Sequence, residues 1–185
     1  KQKKIFRTID SIASKSFKSE QELLSNVLNE IIQNDEINVT GGRVWKFDQL
    51  MKCYRLLFQN GNVPKIDKNY VLNVDEYPIF EKIAEERTIL ANETDKLLLE
   101  KGIFRYSASG VGSRIKVEDK TYYQYLLALN SEIINEELRY TINIVASVLT
   151  SKIKESRLSE SRKSLIDDLD KAKQLQRSIL PEHEY

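Results

Sequence analysis

The chain has 185 residues, of which 41% are hydrophobic, and its 29 basic and 28 acidic residues almost cancel. This composition can bury a core, and it lacks the excess positive charge of a nucleic-acid-binding domain. One cysteine and one histidine exclude an internal disulfide and any zinc site built from several such ligands, and no apolar run reaches the roughly 18 residues of a membrane span.

Two helices are predicted at the start of the chain, where no glycine or proline interrupts the sequence. The first carries an apolar stripe at helical spacing, formed by Ile5, Ile9 and Ile12. Ser19 followed three residues later by Glu22 predicts a capping box that begins the second helix. The apolar face of that helix runs through residues 23–32.

The middle of the chain alternates short strands with turns. Aromatic and β-branched residues in alternation predict strands at 43–47, 53–58, 70–74, 88–91, 104–108, 114–117 and 122–129. Pro78 is well placed to begin a short helix, and a helical turn is predicted at 97–101. Gly110 and Gly112 are interpreted as a turn or bulge rather than a phosphate cradle, because the Gly-Lys-Ser/Thr ending of a P-loop is missing.

One long helix is predicted from residue 135 to residue 180. Its apolar residues form two blocks, 138–149 and 158–179, whose heptad phases differ by one residue. We expect the first block to pack on the sheet and the second to form a parallel two-chain coiled coil, because a domain of this size cannot cover so long a helix at about 1.5 Å per residue. A single amphipathic surface helix is the alternative. The predicted dimer seam comprises Ile5, Ile9, Ile12, Leu138, Ile142, Val145, Leu149, Leu158, Leu165, Leu169, Ala172, Gln176 and Ile179.

The order of these elements resembles that of GAF domains, with PAS domains as the nearest alternative. Residues 21–48 resemble the second helix and first strand of the family, residues 77–91 its mid-domain helix and the short strand after it, and residues 135–153 its closing helix. The paired helices before the first strand favour GAF over PAS. The resemblance implies an α+β fold with an antiparallel sheet, helices on one face, and long N- and C-terminal helices that form a coiled coil.

In GAF domains the sheet face opposite the terminal helices lines a pocket closed by mid-domain helices. The resemblance therefore implies a site for a small organic molecule, and Arg114 would favour an anionic group on it. Plain core packing without a ligand is the alternative. Cys53 is interpreted as a small buried hydrophobe rather than a chromophore anchor or redox sensor. The candidate pocket residues are Trp45, Phe80, Tyr106, Ser109, Arg114 and Tyr123.

Residues 172–181, Ala-Lys-Gln-Leu-Gln-Arg-Ser-Ile-Leu-Pro, resemble the linker that leads into metal-dependent serine phosphatases of the bacterial sporulation and general-stress-response type. The resemblance implies that the chain is the non-catalytic regulatory part of such a phosphatase, because the phosphatase's own aspartate motifs are not in the sequence. A constitutive dimerisation module without a ligand is the second hypothesis.

These readings divide the chain into an N-terminal dimerisation helix at 1–18, a GAF-like sensor domain at 19–153, a coiled-coil linker at 154–181 and the start of an output domain at 182–185. We expect a cytoplasmic homodimer that needs no metal or other cofactor. We expect it to contact a phosphatase domain of the same chain. We do not expect it to bind nucleic acid or a membrane.

Overall fold

The structure, a computed structural model, describes residues 2–91 and 106–179, with side chains from residue 7 onwards within those ranges. The predicted turn at 97–101, the side chain of Ile5 and the segment from residue 180 onwards lie outside the described residues. The described strands are β1 (Gly41–Asp48), β2 (Cys53–Gly61), β3 (Val71–Asn73), β4 (Thr88–Ala91), β5 (Tyr106–Val117) and β6 (Lys120–Asn130). The described helices are α1 (Gln2–Ser14), α2 (Glu20–Gln33), α3 (Ile79–Glu86) and α4 (Glu136–Ile179).

The six strands form one antiparallel sheet in the order β3-β2-β1-β6-β5-β4. Helices α1, α2 and α4 pack on one face, where a helix-face core includes Ile12, Leu28, Val44, Leu127 and Leu149. Helix α3 packs on the other, where an α3-face core includes Trp45, Tyr54, Phe80, Tyr106 and Leu126. The predicted α+β architecture is confirmed, and the sheet separates the two cores.

The predicted start of the second helix is confirmed by its capping hydrogen bonds. The Oγ of Ser19 accepts a hydrogen bond from the backbone N–H of Glu22 at 3.1 Å, and the Glu22 carboxylate accepts one from the backbone N–H of Lys18 at 3.0 Å. These contacts satisfy amide groups that an uncapped helix leaves without partners. Asn34 ends the helix.

The strands predicted on either side of Gly110 and Gly112 are one continuous strand, β5. Its register with β6 shifts between Val111 and Arg114, and Gly112 has φ +86°, a backbone conformation that favours glycine. The predicted bulge is confirmed.

Helix α4 has two different halves. The expected packing of the first block on the sheet is confirmed, and the place of that block in the predicted dimer seam is corrected. Leu138, Ile142, Val145 and Leu149 are buried against the chain's own sheet, as is Ile12 of α1. Their side chains are therefore not available to a second chain. Every residue from 158 to 179 is exposed, so the helix extends roughly 30 Å past the domain at 1.5 Å per residue.

The apolar residues of the far half form an exposed stripe. It includes Leu158, Leu165, Leu169 and Ile179. Ile9 of α1, another residue of the predicted seam, is half-buried.

None of the described helices is both long and apolar enough to cross a bilayer.

Candidate functional site

A small cavity lies between α3 and the sheet. Its volume is about 30 Å³, close to that of a single water molecule. It is lined by Trp45, Leu72, Ile79, Phe80, Ile83, Tyr106, Ala108, Leu126 and Ala128. The structure thus brings together Trp45, Phe80 and Tyr106 of the six candidate pocket residues.

Aromatic rings fix α3 over this face of the sheet. The Tyr54 ring lies 4.9 Å from that of Phe80, and Tyr77 meets Phe80 edge-on at 6.0 Å. The hydroxyl of Tyr54 donates to the carbonyl oxygen of Tyr123 at 2.7 Å. Burial raises the pKa of Tyr54, so its hydroxyl remains a neutral donor.

Tyr123 is buried in the α3-face core, but it does not line the cavity. Its ring lies over Gly110, where an added Cβ would stand 2.1 Å from the ring. The hydroxyl of Tyr123 accepts a hydrogen bond from Arg114 at 3.0 Å, and the exposed Arg114 guanidinium lies 5.1 Å from the ring centroid. Arg114 therefore covers Tyr123 at the surface and does not reach the cavity, which corrects its predicted place in the pocket wall.

Ser109 lies on the opposite face of the sheet, a second correction. Tyr106 and Ala108 of β5 face α3, so the two-residue period of a strand directs Ser109 towards α4. The Oγ of Ser109 lies 2.9 Å from the Oγ1 of Thr88, which in turn donates to Asn143 of α4 at 2.8 Å. Ser109 belongs to the packing of α4.

Arg87 joins the two faces at the edge of the sheet. It follows α3 with φ 68° and ψ −51°, close to the γ-turn conformation, which is strained for a residue with a side chain. Its guanidinium donates to the carbonyl of Gly110 at 3.3 Å, to Ser147 at 3.2 Å and to Thr150 at 3.0 Å. The end of α3 is thus tied directly to β5 and to α4.

The sequence analysis missed Arg87, because its partners are 23 to 63 residues away along the chain and no local pattern marks them. It also missed Arg43, for which a signal was present. Arg43, Trp45 and Phe47 are spaced two residues apart. The two-residue period of a strand places all three on the same face of the sheet.

A polar cluster ties the start of α2 to α4 on the helix face. Arg157 of α4 donates to both oxygens of Glu20, at 2.6 and 2.8 Å, and the Tyr125 hydroxyl donates to Glu20 at 2.8 Å. Burial alone would raise the pKa of Glu20, but the hydrogen bonds from Arg157 and Tyr125 outweigh it and hold that pKa below its usual value. This cluster lies where α4 leaves the domain.

We expect Glu20→Gln to lower the free energy of unfolding at pH 7 by about 1 kcal/mol, because a charge-assisted pair at a partly exposed site is lost. A carboxyl whose pKa is lower in the folded state contributes fully above its unfolded pKa and loses that contribution as the pH falls through the folded pKa. Urea unfolding should therefore separate wild type from Glu20→Gln at pH 7 and bring them together at about pH 3. The exposed control Glu85→Gln should change stability by less than about 0.5 kcal/mol at either pH. A Glu20→Gln deficit that persists unchanged in acid would contradict the role of the carboxylate.

The remaining candidates for metal or thiol chemistry are the acidic side chains and Cys53. Within 7–91 and 106–179 no cluster of three or more histidine, cysteine, aspartate or glutamate side chains is placed to hold a metal ion. Cys53 is buried, and burial raises the pKa of its thiol. A buried, protonated thiol packs as a small apolar group.

No family model and no curated protein sequence matches this chain. Solved structures do match. The GAF domain of a phosphoenolpyruvate-protein phosphotransferase from Acinetobacter is 14% identical with a TM-score of 0.58, covering 85% of this chain and 94% of that one. The phycocyanobilin-bound GAF domain of a cyanobacterial phytochrome is 12% identical with a TM-score of 0.62, covering 86% and 97%.

A bacteriophytochrome from R. palustris is 9% identical with a TM-score of 0.67; the match covers 98% of this chain and 43% of that one. At these identities the comparisons establish the fold alone. The chain has a GAF fold.

Proposed function

We propose that this chain is a regulatory sensor domain. A small molecule bound on the α3 face of the sheet shifts α4, and a pair of α4 helices in a homodimer carries the shift to an attached metal-dependent serine phosphatase. The fragment itself performs no catalysis.

The division of α4 is the observation that carries this proposal. Its first half is part of the domain core, whereas its second half is an exposed helix with an apolar stripe. An isolated helix of this kind gains little from its own backbone and is stabilised mainly by packing. A second copy of α4 supplies that packing, and one continuous helix then connects the sensor core to whatever follows it.

Arg87 supplies a route from the proposed ligand site to α4. Phe80 and Ile83 of α3 line the cavity, and Arg87 follows α3 directly. Its hydrogen bonds to Ser147 and Thr150 make a displacement of α3 change the contacts of α4. Contacts of this kind between two packed elements can couple a ligand site to a distant helix energetically.

The phosphatase as the output is supported by the resemblance of residues 172–181 to the linker of that family. Its test is the segment that follows Tyr185 in the full protein, which should carry the phosphatase's aspartate motifs. A different output domain there would remove the phosphatase from the proposal and leave the sensor.

We expect Leu165→Lys to weaken the dimer about tenfold or more, because it places a charge in the apolar seam. Leu165 is 60% exposed in the single chain, so the fold itself should be unaffected. The matched control is Gln174→Lys, since position 174 lies about two and a half turns further on and so on the opposite side of the helix. Sedimentation equilibrium over a range of concentrations measures both dissociation constants. A wild-type protein that is monomeric at every concentration would remove the dimer from the proposal.

The small size of the described cavity favours a second hypothesis, a constitutive dimerisation module without a ligand. Small-molecule sites commonly enclose roughly 300–1,000 Å³, against about 30 Å³ here. Melting temperatures measured with metabolite pools separate the two hypotheses. A ligand at 100 times its dissociation constant stabilises a domain by about 2.7 kcal/mol, whereas a ligandless module shows no shift with any pool.

A further inference from the structure

Arg43 is a charged side chain sealed inside the α3 face of the sheet. Its exposed fraction is 2%. It lies on β1 two residues before Trp45, and directly opposite Ala128 of β6. Trp45 and Ala128 both line the cavity, and residues directly opposite on neighbouring strands have their Cβ atoms about 5 Å apart. Arg43 is therefore the strand neighbour of two residues of the cavity wall, although its own side chain does not line the cavity.

The guanidinium of Arg43 is only partly satisfied. One terminal nitrogen donates to the carbonyl oxygen of Pro64, whereas the Nε–H has no hydrogen-bond partner among the described residues. Among the side chains of 7–91 and 106–179, no carboxylate forms an ion pair with it. Burial lowers the pKa of Arg43, but a guanidinium keeps its proton at neutral pH.

A buried, unpaired charge is one of the most destabilising features a fold can contain. An anion that pairs with the guanidinium removes most of that penalty. The residues next to Arg43 across the sheet, Ala128 on β6 and Ala108 on β5, are both small and both line the cavity. The rest of the cavity lining is apolar or aromatic.

We propose that Arg43 anchors the carboxylate of a small organic acid whose apolar body packs against Trp45 and widens the cavity, which measures about 30 Å³ without a ligand. This inference rests on the proposed sensor function and names the chemical class of its ligand. A carboxylate pairs with a guanidinium through two parallel hydrogen bonds, and its single charge matches the single charge of Arg43. A phosphate would bring almost two charges to one cation.

The experiment uses Trp45 as its reporter, because it is the chain's single tryptophan and it lines the cavity. Its fluorescence and the melting temperature are followed while wild type is titrated with acetate, butyrate and benzoate. The matched neutral probes are acetamide, butyramide and benzamide, and inorganic phosphate is the second anion. Arg43→Met removes the charge at similar volume, and Arg114→Met makes the same change at the exposed arginine.

We expect at least one carboxylate to change Trp45 emission and raise the melting temperature of wild type, with its amide at least tenfold weaker. Arg43→Met should weaken that carboxylate about 10- to 100-fold, the equivalent of a lost charge-assisted pair, and Arg114→Met should bind like wild type. Without ligand, Arg43→Met should melt at or above the wild-type temperature, because it removes an unpaired buried charge.

Other outcomes overturn the inference. If no carboxylate acts on wild type, if phosphate binds as tightly, or if Arg43→Met binds as well as wild type, Arg43 does not anchor a carboxylate. A large loss of melting temperature in ligand-free Arg43→Met would mean that the chain itself neutralises Arg43. If the amides or a metabolite pool stabilise wild type and the carboxylates do not, the sensor proposal stands and only this inference fails.

Discussion

Leu149→Ala is expected to lower the free energy of unfolding by about 2–5 kcal/mol, and Leu165→Ala on the same helix by less than about 0.5 kcal/mol. Leu149 is fully buried between α4 and the sheet, whereas Leu165 is exposed. Truncating a buried leucine removes its transfer free energy and leaves a cavity. Urea unfolding at protein concentrations below the dimer dissociation constant measures both changes in the single chain.

At higher protein concentration, where wild type dimerises, the effect of the seam substitution should appear. Leu165→Ala should then lose stability relative to wild type, because dimerisation stabilises only the wild-type seam, whereas the Leu149→Ala deficit should stay nearly constant. Equal effects of the two substitutions at low concentration would contradict the division of α4 into a core half and a free half.

This division also shows where sequence reasoning reached its limit. The spacing of Leu138, Ile142, Val145 and Leu149 reports an apolar face, but it is the same whether the partner is a sheet or a second helix. Only the position of α4 on the sheet decides, and that position depends on contacts distant in sequence. The length of the helix predicted that this block packs on the sheet, which is confirmed, whereas the additional assignment of these four residues to the dimer seam was wrong.

The features predicted most reliably were those that depend on local chemistry. The cap at Ser19, the short helix after Pro78 and the bulge at Gly112 are all present, because each depends on the conformational preference of one or two residues. The pocket face was predictable in part. Trp45 and Phe80 lie at the cavity, but the two-residue period of β5 removes Ser109, and only the tertiary fold reveals Arg87.

The second large effect is expected at Arg87, where Arg87→Ala should lower the free energy of unfolding by about 2–4 kcal/mol. The substitution removes the guanidinium hydrogen bonds to Gly110, Ser147 and Thr150, and hydrogen bonds that involve a charged group contribute about 1.5–3 kcal/mol each when both partners are well placed. Arg55→Ala is the matched control, because Arg55 forms a surface ion pair with Asp48 at 3.2 Å. It should cost less than about 1 kcal/mol.

Arg87→Gly separates the side chain from the backbone. Glycine also lacks the guanidinium, but it adopts φ 68° without the strain that alanine meets there. Arg87→Gly should therefore be about 1 kcal/mol more stable than Arg87→Ala. Arg87→Lys keeps a charge but cannot reproduce the planar fork, so it should recover only part of the loss.

The link between α3 and α4 is tested by a double-mutant cycle of Arg87→Ala with Thr150→Val. Thr150 accepts hydrogen bonds from both Arg87 and the backbone N–H of Gly112, each at 3.0 Å. Because the two residues share a contact, their effects on the free energy of unfolding should fall short of additivity by about 1 kcal/mol, whereas Arg55→Ala with Thr150→Val should be additive within about 0.5 kcal/mol. Additivity in both cycles would mean that the Arg87–Thr150 contact does not couple the two elements, and the proposed route to α4 would then depend on Ser147 alone.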